Sequence, residues 1–214
     1  FLNGELGTEL LDSVSDLDIK GLGYWTRDFR QITNSKRPIT EPEDLEGIKL
    51  RVPNNPLWVE FFKGAGTVTT PMDFSEVYNA LQLKTIDGQE NPLGVITASK
   101  MYEVQKYLTI SNHMADGWLV GMNQAKFDKL TDEQKKIISD SVKEIQSWSS
   151  DYDNKEAETA IKLMEDEGVE VNKLTSEQQQ KFIELSKQAY PTFKELVKDD
   201  QFFSDILEFV GKSE

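Results

Sequence analysis

The sequence predicts an α/β fold, and three observations carry that expectation. Helical and strand-like patterns alternate along the chain, the 37% hydrophobic and 29% charged residues are ordinary globular content, and a long stretch without Pro or Gly opens at Thr131.

The elements follow in order. The first fifteen residues place Leu6, Leu10, Leu11 and Val14 on one side of a short helix. IKGLGYW is a strand signal, and DFRQIT (28–33) and IKLRV (48–52) alternate as two more, separated by a loop punctuated by Pro38, Pro42 and Gly47. PLWVEFFKGAG, TVTT and DFSEVYNALQ then read helix, strand, helix, with Asp73 as N-cap before a stripe of Phe74, Val77, Tyr78 and Leu81. YLTISNHM and WLVGMN supply two further strands. Thr131 and Gln134 form a capping box, and nothing breaks the next 36 residues until Gly168 at a C-cap position. As one helix this stretch is about 54 Å long, far more than a small domain needs, so it serves two domains. Ile138, Val142, Ile145, Tyr152, Ile161 and Met164 are its candidate buried positions, and the competing reading is two helices broken near Ser149 to Asp153. A short strand, VEVN, a second capping box at Thr175 and Gln178, and helices broken near Pro191 complete the chain.

Composition narrows the function. A formal net charge of -14 and a pI near 4.6, without a dense Lys/Arg tract, disfavour nucleic acid and anionic membranes as partners. No apolar run of about 18 residues is present to span a bilayer. The opening FLNGELGTELLD lacks the basic and apolar regions of a secretion signal, which leaves open a mature or trimmed chain. Zero Cys excludes disulfides, thiolate metal sites and cysteine nucleophiles, and the single His113 leaves little for a zinc site or a Ser-His-Asp triad. No metal, cofactor or catalytic residue is expected.

The arginines are the informative residues. All four, Arg27, Arg30, Arg37 and Arg51, fall within 25 residues, whereas twenty Lys are scattered throughout. Guanidinium donates two parallel hydrogen bonds to a carboxylate, a geometry Lys cannot copy. Arg30 and Arg51 sit inside alternating strand patterns, FRQI and KLRVP, where a charge is costly unless an anion meets it. The competing reading for any one arginine is pairing with the protein's own acidic groups, which outnumber basic ones 38 to 24, and Arg27 and Arg37, in turn or loop contexts, are left to it. In DGQENP, Asp87-Gly88 reads as a turn and Asn91-Pro92 as a second one, with Asn91 able to offer a ligand both donor and acceptor. The same hexapeptide could hold an acid/base pair, Asp87 and Glu90, of an acidic-sugar hydrolase, but no nucleophile or metal constellation accompanies it.

FRQITNSKRPI, DLEGIKLRVPNNP, the P-M-x-FSEVY-x-ALQ stretch, IDGQENP and YEVQKYLTISNH occur in one order between about Phe29 and His113. Together they closely resemble the extracytoplasmic solute receptors of tripartite ATP-independent periplasmic (TRAP) transporters, the DctP-like family. The resemblance implies a two-domain periplasmic-binding-protein-like receptor, not an enzyme, that closes on a carboxylated small molecule and delivers it to a membrane permease, its signal sequence lying outside this chain. It points to Arg51 as the carboxylate-binding residue, Arg30 as a supporting arginine and Asn91 as an amide on the carboxylate. It also points to Asn54 after RVP, Phe74 as an apolar wall and His113 at the rear. The domain-spanning helix is similar to the one opening at Thr131. Nothing here resembles the start of family members, so the first domain is expected to be incomplete. The implied plan is a first-domain remnant at 1–27, a ligand-binding second domain at 28–116, a first-domain strand and long helix at 117–156, and a return to the second domain with C-terminal helices at 157–214. An incomplete first domain would leave apolar surface exposed and favour self-association. A single clamp suits a sugar acid such as a uronate or sialic acid, and a C4-dicarboxylate is the alternative if Arg30 serves as second anchor.

Overall fold

The computed structural model describes residues 1–212, without the side chains of Asp116, Ser150, Asp153 and Asn154. The chain runs α1 (Glu5–Ser13), β1 (Ile19–Asn34), β2 (Lys49–Val52), α2 (Pro56–Gly64), β3 (Val68–Pro71), α3 (Phe74–Gln82), β4 (Gly88–Pro92), α4 (Leu93–Ala98) and β5 (Tyr107–Asn123). It continues through α5 (Gln124–Asp128), α6 (Asp132–Asp166), β6 (Glu170–Lys173), α7 (Ser176–Ser186), α8 (Tyr190–Val197) and α9 (Asp200–Phe209), with short 3₁₀ turns between some of these. Among the described residues the strands form one mixed sheet in the order β3-β2-β4-β1-β5-β6. The mixed α/β class is therefore the one expected.

Backbone contacts divide the chain into two compact units, one of residues 1–27, 116–154 and 199–214 and the other of 28–115 and 155–198. Residues 199–214 group with the first unit, whereas the sequence reading returned them to the second domain. Helix α9 carries them there: it packs against α1, and the rings of Phe1 and Phe209 meet edge to face at 5.9 Å. Elsewhere in the first unit Trp25 Nε1 donates to the Val142 carbonyl and Ser149 Oγ to that of Thr26, tying α6 to β1.

The second unit holds the larger core. Ile32, Leu50, Val52, Phe61, Phe62 and Phe182 form one buried cluster, and Val77, Leu81, Ile96, Leu108, Ala160 and Met164 form another. Strand alternation puts Leu50 and Val52 on one face of β2 and Arg51 on the opposite face. Helix α2 begins where its sequence says it should: Asn55 Oδ1 accepts from Leu57 N at 2.9 Å and Pro56 takes the first helical position. Both capping boxes are formed, Thr131 with Gln134 and Thr175 with Gln178, and Gly168 ends α6 with a left-handed φ of 88°.

Three details differ from the sequence reading. IKGLGYW and DFRQIT are one sixteen-residue strand, and YLTISNHM and WLVGMN belong to one of seventeen. Thr26 and Arg27 join the first two segments, Gly117 is carried inside the second strand, and Gly21 stands where a side chain would meet the Leu11 carbonyl oxygen at 2.4 Å. GQENP is the buried strand β4, not two turns; a Cβ on Gly88 would lie 2.4 Å from the Thr33 carbonyl oxygen, so the glycine serves close strand approach. Helix α6 is continuous through the proposed break, and of its expected buried positions Ile145 and Tyr152 are exposed while Ala160, unlisted by periodicity, is buried.

Candidate carboxylate site on the second unit

Strand β4 lies between β1 and β2, and its pairing places the polar residues. Antiparallel pairing sets Arg30 opposite Pro92, Gln31 opposite Asn91, Ile32 opposite Glu90 and Thr33 opposite Gln89; parallel pairing sets Arg51 beside Gln89. Paired residues share a face, so Arg30 and Glu90 project to the α2 side, and Arg51, Gln89 and Asn91 to the other.

Arg30 is engaged by the protein itself. Its Nε and Nη2 grip the two carboxylate oxygens of Glu90 at 2.5 and 2.8 Å, and Nη2 also reaches the Glu90 carbonyl and Asn91 Oδ1. Glu90 is fully buried. Its Oε2 also meets His113 Nε2 at 3.2 Å, and His113 Nδ1 meets Ser111 Oγ at 2.8 Å. An ionised carboxylate only accepts, so this contact puts a proton on Nε2. Burial pushes the Glu90 carboxyl up, but the hydrogen bonds from His113 and Arg30, with their charge, hold it below its ordinary value. The rings of Phe61 and Phe62 pack on His113, and the Trp58 ring lies 5.5 Å from the Arg30 guanidinium carbon.

Arg51 is placed differently. Its residue is only 4% exposed, yet among the described residues no carboxylate comes within ion-pair distance of it. Nε and Nη2 both donate to one backbone carbonyl, that of Met72, at 3.1 and 2.7 Å. The Met72 N–H bonds back to the Val52 carbonyl, so the acceptor is fixed by the β2–β3 junction. Phe74 lies two residues beyond, its ring centroid 5.9 Å from the guanidinium carbon, and is 46% exposed, an apolar wall open on one side. Burial lowers the Arg51 pKa, opposed by Glu90 and Asp73 and reinforced by Arg30. Among the described residues its remaining N–H groups meet no carboxylate, and a guanidinium edge in that position has the geometry to donate two parallel hydrogen bonds to one.

The other expected residues divide. Asn91 is buried beside the clamp strand, donating to Gln89 Oε1 at 2.6 Å while accepting from Arg30, so it links the two arginine environments. Asn54 is exposed at the head of α2 without a side-chain hydrogen bond among those described. His113 belongs to the Glu90 cluster rather than to the Arg51 face. Arg37 bonds the carbonyls of Asp44 and Glu46, and Arg27 lies over Trp118, structural roles for both. Asp87 pairs with Lys36 and bonds Lys49 N, three residues and one strand face away from Glu90, so the hexapeptide does not aim two carboxylates at a common point. Sequence reasoning missed Glu90 as the partner of Arg30, and Gln89 and the Met72 carbonyl altogether; only the strand register could have supplied them.

Residues 1–196 match the family model DctP, bacterial extracellular solute-binding protein family 7, and the chain belongs to that family. It is 37% identical over 170 residues to the 2,3-diketo-L-gulonate-binding periplasmic protein YiaO of Escherichia coli, covering 79% of this chain and 52% of that protein. It is 32% identical over 204 residues to the C4-dicarboxylate-binding protein DctB of Bacillus subtilis, covering 92% and 58%. The crystal structure of the sugar acid binding protein DctPAm from Advenella mimigardefordensis, in complex with galactonate, superposes with a TM-score of 0.85 at 34% identity over 97% of this chain and 66% of that one. The chain thus spans little more than half the length of these two curated relatives.

Proposed function

We propose that this chain is part of an extracytoplasmic receptor that binds a small organic acid through Arg51 and delivers it to a TRAP membrane permease, without chemistry on the ligand. The observation that carries this is the buried Arg51 fork, held by a backbone carbonyl and, among the described residues, without a carboxylate partner. Arg30 supports it indirectly, by holding Glu90 and Asn91, which in turn orders Gln89 beside Arg51. The E. coli relative is periplasmic by name, which supports an extracytoplasmic location for the parent of this chain.

The ligand class follows from what is left over. A dicarboxylate would use a second cation, and Arg30, the candidate for it, is occupied by Glu90. A monocarboxylic sugar acid, with hydroxyls to meet amides such as Asn54, fits the single clamp better. The diketogulonate-binding and galactonate-bound relatives support this; the dicarboxylate-binding relative is the reason to test it. Thermal-shift screening of the full-length protein against uronates, aldonates, sialic acid, succinate and malate is the test. A sugar acid raising the melting temperature by several degrees is expected, and a response to succinate or malate alone would overturn the preference.

A further inference from the structure

Asp73 sits between the two groups that hold Arg51. Its chain neighbour Met72 supplies the carbonyl that fixes the guanidinium, and its other neighbour Phe74 supplies the ring beside it. By sequence Asp73 is the N-cap of α3, but its side chain makes no capping bond, and among the described residues it has no ion pair. The residue is exposed. Among the described residues this carboxylate makes no cap hydrogen bond and no ion pair, one residue from the clamp on either side, and its position at the head of α3 leaves it open to solvent. It does act electrostatically on Arg51.

We propose that Asp73 is a selectivity residue, whose negative charge at the rim of the Arg51 site disfavours ligands with a second carboxylate and so narrows the site to monocarboxylic acids. The inference rests on the Arg51 clamp. A monocarboxylate puts its one charge on the guanidinium fork and presents neutral hydroxyls to the rim. A dicarboxylate brings a second anion towards Asp73, with Arg30 already neutralised by Glu90. Repulsion between exposed charges at this range is modest and screened by salt, so the expected discrimination is roughly three- to tenfold.

The test is calorimetric titration of the full-length protein, as wild type, Asp73→Asn and Arg51→Ala, with galacturonate and with succinate at low and high salt. Asparagine keeps the cap position and the size of the side chain. The expected result is that Asp73→Asn raises succinate affinity three- to tenfold relative to galacturonate, with the gain shrinking at high salt, while Arg51→Ala binds neither acid. An unchanged ratio in Asp73→Asn with binding still lost in Arg51→Ala would sink the role of Asp73 alone. Undiminished binding by Arg51→Ala would remove the clamp and this inference together, and so would a wild type that binds neither acid.

Discussion

Two buried arginines one strand apart differ in what neutralises them, and that difference is testable by substitution. Arg30 and Glu90 form a bidentate pair inside the protein, so Arg30→Met leaves the buried carboxylate with His113 as its remaining side-chain partner and is expected to cost about 3–5 kcal/mol in chemical denaturation. Arg51→Met removes a buried charge that has no carboxylate partner among the described residues, and stability should stay level or rise by up to about 1 kcal/mol. A large loss in the second variant would mean that Arg51 is a structural residue. The Glu90 pair also sets a pH dependence. Its carboxyl is held below the ordinary value of 4.5, so its contribution to stability is fully present above that pH and is lost as pH falls through the depressed folded value. Denaturation of wild type and Glu90→Gln should therefore differ widely at pH 7 and converge under acid conditions; a gap that is constant with pH would contradict the ionised pair. The gathering of the arginines was legible in the sequence because residue type and strand alternation suffice to see it. Their partners were not, since the Arg30–Glu90 contact depends on the β1–β4 register, which joins segments sixty residues apart.

At the scale of elements, signals carried by local chemistry were legible and those set by tertiary pairing were not. Capping boxes, the Asn55-Pro56 helix start and the Gly168 stop are local, and each stands where the residues put it. GQENP has the composition of a turn, yet pairing on both sides makes it a buried strand, an override of local preference by the sheet. Helix α6 shows the same limit: its length was readable, but the buried face drifts, because Ile145 and Tyr152 keep the helical period and are exposed. In the second unit the buried face is sharply drawn. Met164 is completely buried whereas its neighbour Leu163 is 38% exposed, so Met164→Ala should cost about 2–4 kcal/mol and Leu163→Ala under about 1 kcal/mol by urea denaturation. Equal losses would mean that the helix is rotated from the orientation described.

For the whole molecule, the second unit has two buried clusters, while the first exposes Trp118, Trp148, Tyr152 and Phe209. Large apolar groups left open tend to find a partner, so the 214-residue chain by itself is expected to scatter light as a species heavier than 24.4 kDa. Replacing Trp118 and Trp148 by Ser should return it towards a monomer, and a monodisperse wild-type monomer would contradict the expectation. The proposed binding role rests on the second unit, where Arg51, Met72 and Phe74 meet. The most direct measurement is calorimetry of galacturonate or another responding sugar acid with full-length wild type and Arg51→Lys. Lysine keeps the charge and loses the fork, so affinity should fall at least tenfold, with the folded state intact by circular dichroism. Unchanged affinity in Arg51→Lys would show that no bidentate arginine clamp holds the ligand.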